Sequence, residues 1–448
     1  MTGTRLLTGW GHTAATAARQ LSPATGLDVS ATVLGPARAV LARGLGRCYG
    51  DAAQSAGGVV LSTERLGGID LDADRGLLVA GAGCSLDEVL RTTVPAGWFV
   101  PVTPGTRFVS LGGAVAADVH GKNHHVDGAI GGHLAWIDLV DGTGATRRLS
   151  PESDPGGFWA TVGGMGLTGV ITRVALRLHR ITSAWMTVET ARIAGLAGLL
   201  DTLREHDRRY RYTVAWIDVL ARGRRLGRGV ITSGDHADAA AVTAHGVHDP
   251  LGYRPRVRLA APPLPVGAVT PLSARAFNEA WYRRAPAAPR TGLQRLEGFF
   301  HPLDGVRHWN RLYGPRGFVQ YQFVVPDDRT DVIEQALAGV QACGSPAFLA
   351  VLKRFGPADP APLSFPRPGW TLAMDLPASD DGRLARTLDR LDALVADAGG
   401  AVYLAKDARL RPELLATMYP RLDEWRRQRD LLDPGHRFGS DLSRRLQL

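Results

Sequence analysis

From residue 37 to residue 180 the chain alternates short apolar runs with glycine turns. Ala39-Val-Leu-Ala-Arg, Gly58-Val-Val-Leu-Ser, Gly76-Leu-Leu-Val-Ala-Gly and Ala135-Trp-Ile-Asp-Leu-Val predict strands, being short and bounded by turn residues. Val170 to His179 alternates apolar and polar positions, the period of a half-buried strand. Helical signals are few in this region. Ser85 followed by Glu88 forms a capping box that opens a helix, and Pro155–Val162 predicts another short one.

From about residue 184 glycine thins out while tryptophan, tyrosine and arginine increase. Ala191–Tyr210, Val332–Ala342 and Leu384–Ala396 have helical periodicity; Tyr212–Val219 and Phe318–Pro326 alternate as strands. Mixed helices and alternating strands predict an α+β unit around an antiparallel sheet. His248–Pro271, rich in proline and without period, predicts a long loop that could serve as a lid. A strand at Ala401-Val-Tyr-Leu-Ala and a basic helical end complete the chain.

Composition narrows the class. With 448 residues, 45% hydrophobic and 21% charged, the chain is globular and long enough for two domains. The net charge of +9, carried mainly by arginine, suits phosphate or an anionic lipid surface. Neither an aromatic-studded basic repeat nor zinc-ligand spacing supports nucleic acid, so none is expected as a partner. Cys48, Cys84 and Cys343 leave an odd thiol and no C-x-x-C pair, which argues against a disulfide framework. Met1–Trp10 lacks the apolar run of a signal peptide, and no run of ~18 apolar residues predicts a membrane span. The expectation is a cytoplasmic chain whose only membrane contact would be peripheral.

Glycine changes the picture most. The chain has 54 glycines, and four segments of the first region are rich in them: Arg43–Asp51, Ala80–Ser85, Pro104–Asn123 and Gly163–Gly169. Glycine lets the main chain approach an anion and present N–H groups to it, as a pyrophosphate requires. One such loop is commonly just a turn; four in one region favour a nucleotide site. The strand–GxGxxG–helix layout of a Rossmann unit and the GxxxxGK[ST] phosphate loop are both missing, which turns the reading away from ordinary NAD and P-loop chemistry.

The order Arg43–Asp51, Pro104–Asn123 and Phe158–Gly169 resembles the FAD-binding domain of vanillyl-alcohol-oxidase-type flavoenzymes. His120-Gly-Lys-Asn-His-His, His301-Pro-Leu-Asp, Tyr313-Gly-Pro, Gln320-Tyr-Gln-Phe, Lys353-Arg-Phe-Gly, Pro362–Trp370 and Ala405-Lys-Asp-Ala-Arg narrow it. Together they resemble the decaprenylphosphoryl-β-D-ribose 2′-oxidase family, from Thr8 to Leu446. The resemblance implies a two-domain α+β flavoprotein: an FAD-binding domain over 1–183, a substrate domain over 184–399, and a return to the FAD domain over 400–448. It implies FAD contacts from Arg47, Cys48, Tyr49, Gly50, Asp51, Pro104, Gly105, Thr106, Gly112, Gly113, Asp118, His120, Gly121, Asn123, Gly166, Thr168 and Lys406. Lys122, Phe300, Gln320, Gln322, Lys353, Ala373 and Asp375 would face the sugar and its phosphate. The implied reaction is oxidation of the 2′-hydroxyl of a pentose carried on a phosphorylated lipid. A separate NAD(P)H-dependent ketoreductase would complete an epimerisation, and a quinone or oxygen would accept the electrons.

The chemistry can be argued on its own terms. Oxidising a secondary alcohol needs a hydride acceptor and help in removing the hydroxyl proton. Lys406 suits electrostatic support of the reacting hydroxyl, with His120 and Tyr49 as candidates for the proton. The first glycine loop holds no histidine, so the expected FAD is non-covalent. His120, His124 and His125 lack a carboxylate or cysteine partner at ligand spacing, and no metal is expected. Ala373 stands where the family commonly has cysteine, Phe300 where it commonly has tyrosine, and the segment from Gly11 to Arg43 is shorter, with a truncated helix expected. These departures keep open a soluble sugar or nucleoside as the alternative substrate.

Overall fold

A computed structural model describes residues 3–257 and 259–448. The N-terminal region holds two larger sheets and a two-stranded one, Trp98–Phe99 with His179–Arg180. The hairpin of Gly3–Thr8 and Ala15–Leu21 is extended in parallel by Val59–Ser62 and then Val40–Arg43. The second sheet is antiparallel, in the order Ile69–Asp72, Leu77–Gly81, Val170–Arg177, Leu134–Val140, Thr146–Leu149. The capping box at Ser85 forms: the Glu88 N–H donates to Ser85 Oγ at 3.2 Å, and the Ser85 N–H to Glu88 Oε2 at 2.7 Å. Between Gly11 and Arg43 stands one helix, Gly26–Val33, opened by the Thr25–Asp28 box.

The middle of the chain builds an eight-stranded antiparallel sheet. Its order is Arg290–Arg295, Trp185–Ile193, Gly229–His236, Tyr212–Ile217, Ala350–Phe355, Gly369–Pro377, Phe318–Val325 and Ala401–Val402. Helices Leu196–Asp207, Thr330–Cys343 and Arg383–Asp397 back it and bury stripes such as Val332, Ala336 and Val340. The other face is left for the site.

Beyond the sheet the C-terminal segment runs back to the first region. Phe438 bridges to Val40, the Ser55 hydroxyl donates to the Gly439 carbonyl at 2.8 Å, and Arg445 pairs with both Asp51 and Asp407 at 2.8 Å. Among the described residues no helix is long and apolar enough to cross a membrane.

Three local expectations change. The helix expected over Ala191–Tyr210 occupies Leu196–Asp207, because Ala191–Ile193 stays paired with Gly229–Ile231 and Gly195 caps the helix only afterwards. At Ala401–Ala405 only Ala401–Val402 pairs as strand; the Lys406 and Asp407 amides donate to the Tyr403 carbonyl and turn the chain. The apolar residues there are buried in a turn. Within His248–Pro271, Leu259–Ala260 pairs with Val306–Arg307, and Pro271 begins a helix, Pro271–Arg284, capped by Thr270. That Thr-Pro-x-Ser start is a readable signal.

Candidate active site

Between the glycine segments and the open face of the large sheet lies a cavity of about 1480 Å³. This exceeds the ~300–1,000 Å³ of a single small-ligand pocket, so it has room for a cofactor and a substrate together. Its inner wall is built from glycine-bearing turns: Gly44–Tyr49, Thr103–Thr106, Gly112–Gly113 and Met165–Gly166. Two of these turns need glycine, Gly46 at φ +63° and Gly166 at φ +75°. At Gly105 a Cβ would meet nothing within 4 Å, so that wall is bare backbone facing open space. A wall of this kind fits the pyrophosphate of FAD, whose charge needs main-chain donors at close range.

The polar end is assembled by strand register. Gln320 and Gln322 alternate on Phe318–Val325 and lie opposite Asp375 and Ala373. Gln320 donates to the Asp375 carboxylate, which burial pushes up from its ordinary range although that bond and Lys406 oppose the shift. Gln322 donates to His120 Nε2 at 3.0 Å and to Thr371 Oγ1 at 3.2 Å. His120 Nδ1 is buried without a protein partner. Burial, then the charge of Lys353, holds this imidazole neutral, far below its usual range.

Three lysines converge on the same space. Lys122 donates to the Phe299 carbonyl at 2.5 Å, and Lys353 donates to the Gly121 carbonyl at 3.3 Å. Lys406 lies 3.9 Å from the centre of the Tyr49 ring, where the ring face stabilises its charge. Burial lowers all three; Lys122 and Lys353 come to about 7, the second cause being Lys353 for the first and Lys406 for the second. Burial pushes the Tyr49 phenol well up, so it keeps its proton.

Most of the residues expected here from sequence do line the cavity, but five do not. Gly50 packs on the Asp407 carbonyl, where a Cβ would clash, and Asp51 is taken by Arg445. Asp118 is buried, accepting from the Gly131 amide at 3.0 Å and the Ser364 hydroxyl at 2.5 Å. Asn123 donates to the Pro101 carbonyl at 2.8 Å, and the Thr168 hydroxyl to Thr161 Oγ1 at 3.0 Å. Each shapes a loop that carries wall residues, and none presents its side chain to the cavity.

Other residues went unassigned. Asp304 accepts from Thr106 Oγ1 at 2.6 Å and from the Arg107 amide at 2.8 Å, tying the middle region to the third glycine segment. His301 Nε2 lies 2.8 Å from Thr103 Oγ1 beside it. The His-Pro-Leu-Asp run was the signal for both. Trp216, Val351 and Leu349 also line the cavity, but their shared face follows from pairing register, which no local pattern reveals. Among the described residues no group of three or more His, Cys, Asp or Glu could hold a metal.

Residues 22–150 match the FAD binding domain family. The chain is 40% identical over 459 aligned positions to decaprenylphosphoryl-beta-D-ribose oxidase of Mycolicibacterium smegmatis, covering 100% of this chain and 98% of that protein. The chain belongs to this oxidase family. As a member of the decaprenylphosphoryl-β-D-ribose oxidase family it is an FAD-dependent oxidoreductase with a two-domain α+β fold. An uncharacterized Streptomyces coelicolor protein is also 40% identical, over 371 positions, 81% of this chain and 100% of that one. Cytokinin dehydrogenase 10 of rice is 30% identical over 148 positions, 31% of this chain and 27% of its own length. The rice likeness thus covers less than a third of either chain, whereas the mycobacterial one reaches along the whole of this one.

Proposed function

We propose that the chain oxidises the 2′-hydroxyl of a polyprenylphosphoryl-β-D-ribose to the 2′-keto sugar, the first half of an epimerisation to the arabinose form. The observation that carries this reading is one cavity holding both a bare glycine wall and, at its other end, Lys122 and Lys353 beside Gln320, Gln322 and Asp375. When bound, non-covalently and against the wall from Arg47 to Tyr49, Pro104 to Thr106, Gly112, Gly113, Gly121 and Gly166, FAD supplies the hydride acceptor.

The chain's own residues do the rest. Lys122 and Lys353 grip the phosphate; an anion there offsets the burial that lowers both, and the neighbouring charge that adds to it, Lys353 for Lys122 and Lys406 for Lys353. Gln320 and Asp375 orient the pentose hydroxyls, while Phe300 and Ala373 close the pocket without adding a polar group. Lys406, held over Tyr49, polarises the reacting hydroxyl. His120, neutral where Tyr49 keeps its own proton, takes the proton at Nε2 once the Gln322 amide yields that lone pair. Gln322 holds the imidazole so that Nδ1 carries the ring hydrogen.

In this reading residues 1–183 and 400–448 form the FAD domain and 184–399 the substrate domain. A keto sugar must be reduced again to complete the inversion, which calls for a separate NAD(P)H-dependent ketoreductase. A lipid-borne substrate calls for a cytoplasmic enzyme in peripheral contact with a membrane. The alternative, a soluble sugar, rests on the apolar Phe300 and Ala373; the lysine pair weighs against it. Anaerobic addition of farnesylphosphoryl-β-D-ribose to the holoenzyme tests the proposal. The visible flavin absorption is expected to bleach; bleaching by free ribose alone would transfer the assignment to the soluble substrate.

A further inference from the structure

Past the sugar-facing residues the cavity continues along the same face of the large sheet, and its chemistry changes strand by strand. Gln322 is paired with Ala373, Ala373 with Val351, Val351 with Trp216, and Trp216 with Val230. Directly paired residues share a face, so these five form one row across five strands, and all but the first are apolar. Four inter-strand steps of ~4.8 Å make the row about 19 Å long. All five line the cavity, and Val188 and Val214 widen its apolar part.

The helix Pro271–Arg284 stands over the outer part. Phe277 and Trp281, four residues apart and so on one helix face, stack with ring centres 5.9 Å apart and planes at 12°. They line the same cavity yet remain 43% and 41% exposed. Phe277 also meets the edge of Phe348, 5.3 Å away. Large aromatic side chains left half open above an apolar trough leave contact area free for a ligand. Asp304 and Asp375 are the only carboxylates among the described lining residues, and Asp375 belongs to the sugar-facing end. The trough thus starts beside an anion-suited lysine pair and runs outward without a carboxylate, which complements an amphiphile with an anionic head and a hydrocarbon tail.

We infer that this row, roofed by Phe277 and Trp281, is the seat of the isoprenoid chain of the lipid-borne substrate. The chain leaves the phosphate at Lys122 and Lys353, crosses Val351 and Trp216, and passes out beneath the helix. The inference rests on the proposed substrate class for its head group. It adds a tail subsite that selects prenyl phosphates by length.

Farnesyl phosphate, which lacks the pentose, tests the subsite without turnover. Its binding to the holoenzyme, below its micelle-forming concentration, is read by calorimetry and by tryptophan fluorescence, with isopentenyl phosphate as the short-chain control. Farnesyl phosphate is expected to bind at least about tenfold tighter than the control, as the added buried carbons require. Val214→Glu should abolish that preference, and Trp281→Ala on the open rim should reduce it about threefold, each leaving isopentenyl phosphate binding within about twofold. Equal binding of the two phosphates by the unmodified enzyme overturns the inference, and so does a preference that survives both substitutions. If Val214→Glu does not fold, Trp281→Ala decides alone. Farnesyl phosphate bound with the expected preference, alongside failure to oxidise the pentose lipid, would keep the subsite and remove the proposed reaction; the reverse result would keep the reaction and remove the subsite.

Discussion

The two ends of the cavity are made from different parts of the polypeptide. At the end assigned to the cofactor, glycine-bearing turns such as Gly44–Tyr49 and Thr103–Thr106 line the cavity, with bare backbone at Gly105. At the substrate end, alternate positions of strands such as Phe318–Val325 and Ala350–Phe355 project Gln320, Gln322, Val351 and Lys353. A main-chain wall presents the same N–H groups whatever surrounds it, so it suits a constant ligand. A side-chain wall can be rewritten one position at a time without disturbing the ladder, so it suits a variable one. Ala373 and Phe300, the two departures in the pocket, both belong to the side-chain end.

The comparison can be broken first at its catalytic centre. Lys406→Ala should lower kcat by about a thousandfold, the scale of removing a preorganised electrostatic group, while the FAD absorption per polypeptide stays unchanged. Loss of FAD together with activity would make Lys406 part of the cofactor's support. Next comes the main-chain wall. Gly105→Glu adds a side chain where a Cβ meets nothing within 4 Å. The fold should survive with an unchanged far-ultraviolet dichroism spectrum, but FAD content should fall about tenfold or more, since a carboxylate would oppose the pyrophosphate.

On the substrate side, Lys353→Met should raise KM for the phosphorylated lipid sugar about tenfold or more while FAD content holds. The same lysines set a pH dependence. Lys122 and Lys353 have pKa values drawn down to about 7, so both are cationic below and neutral above that point. KM should therefore rise as pH increases from 6 to 8, and Lys353→Met should flatten the rise. A KM that falls over that interval would contradict phosphate binding by these residues. The smallest effect belongs to Ala373→Cys, expected to change turnover by less than about twofold. It should nevertheless create a site for thiol-directed reagents, seen as an adduct on residue 373 by mass spectrometry and absent from the unmodified chain.

Legibility followed the same division. The glycine segments, the Ser85–Glu88 box and the alternation of Phe318–Val325 are local patterns, and the structure has the corresponding turns, helix and strand. Gly50, Asp51, Asp118, Asn123 and Thr168 stand in the right segments but turn to protein partners such as Arg445 and Ser364. Arg445 and Ser364 are hundreds of residues away, so sequence order carried no trace of them, while Pro101 and Thr161 lie near Asn123 and Thr168 in sequence but are turned toward them only by the folded loops. The row from Gln322 to Val230 was hidden for a related reason: each strand announces its own two faces, but only pairing decides which faces coincide. The helix Pro271–Arg284 is marked at its start by Thr270-Pro-Leu-Ser, but the prolines before it dominate the local composition and mask that signal.

The pairing of Arg445 with Asp51 joins residues 394 positions apart. During synthesis, the strands next to the first glycine loop emerge long before the arginine that anchors that loop. The N-terminal region must therefore wait through the making of an entire substrate domain with its loop incompletely tethered. Late, long-range closure of this kind slows folding and exposes unfinished surfaces to aggregation. Supply of FAD during expression then matters for yield as well as for activity, because a ligand that binds only the finished fold draws the chain toward it.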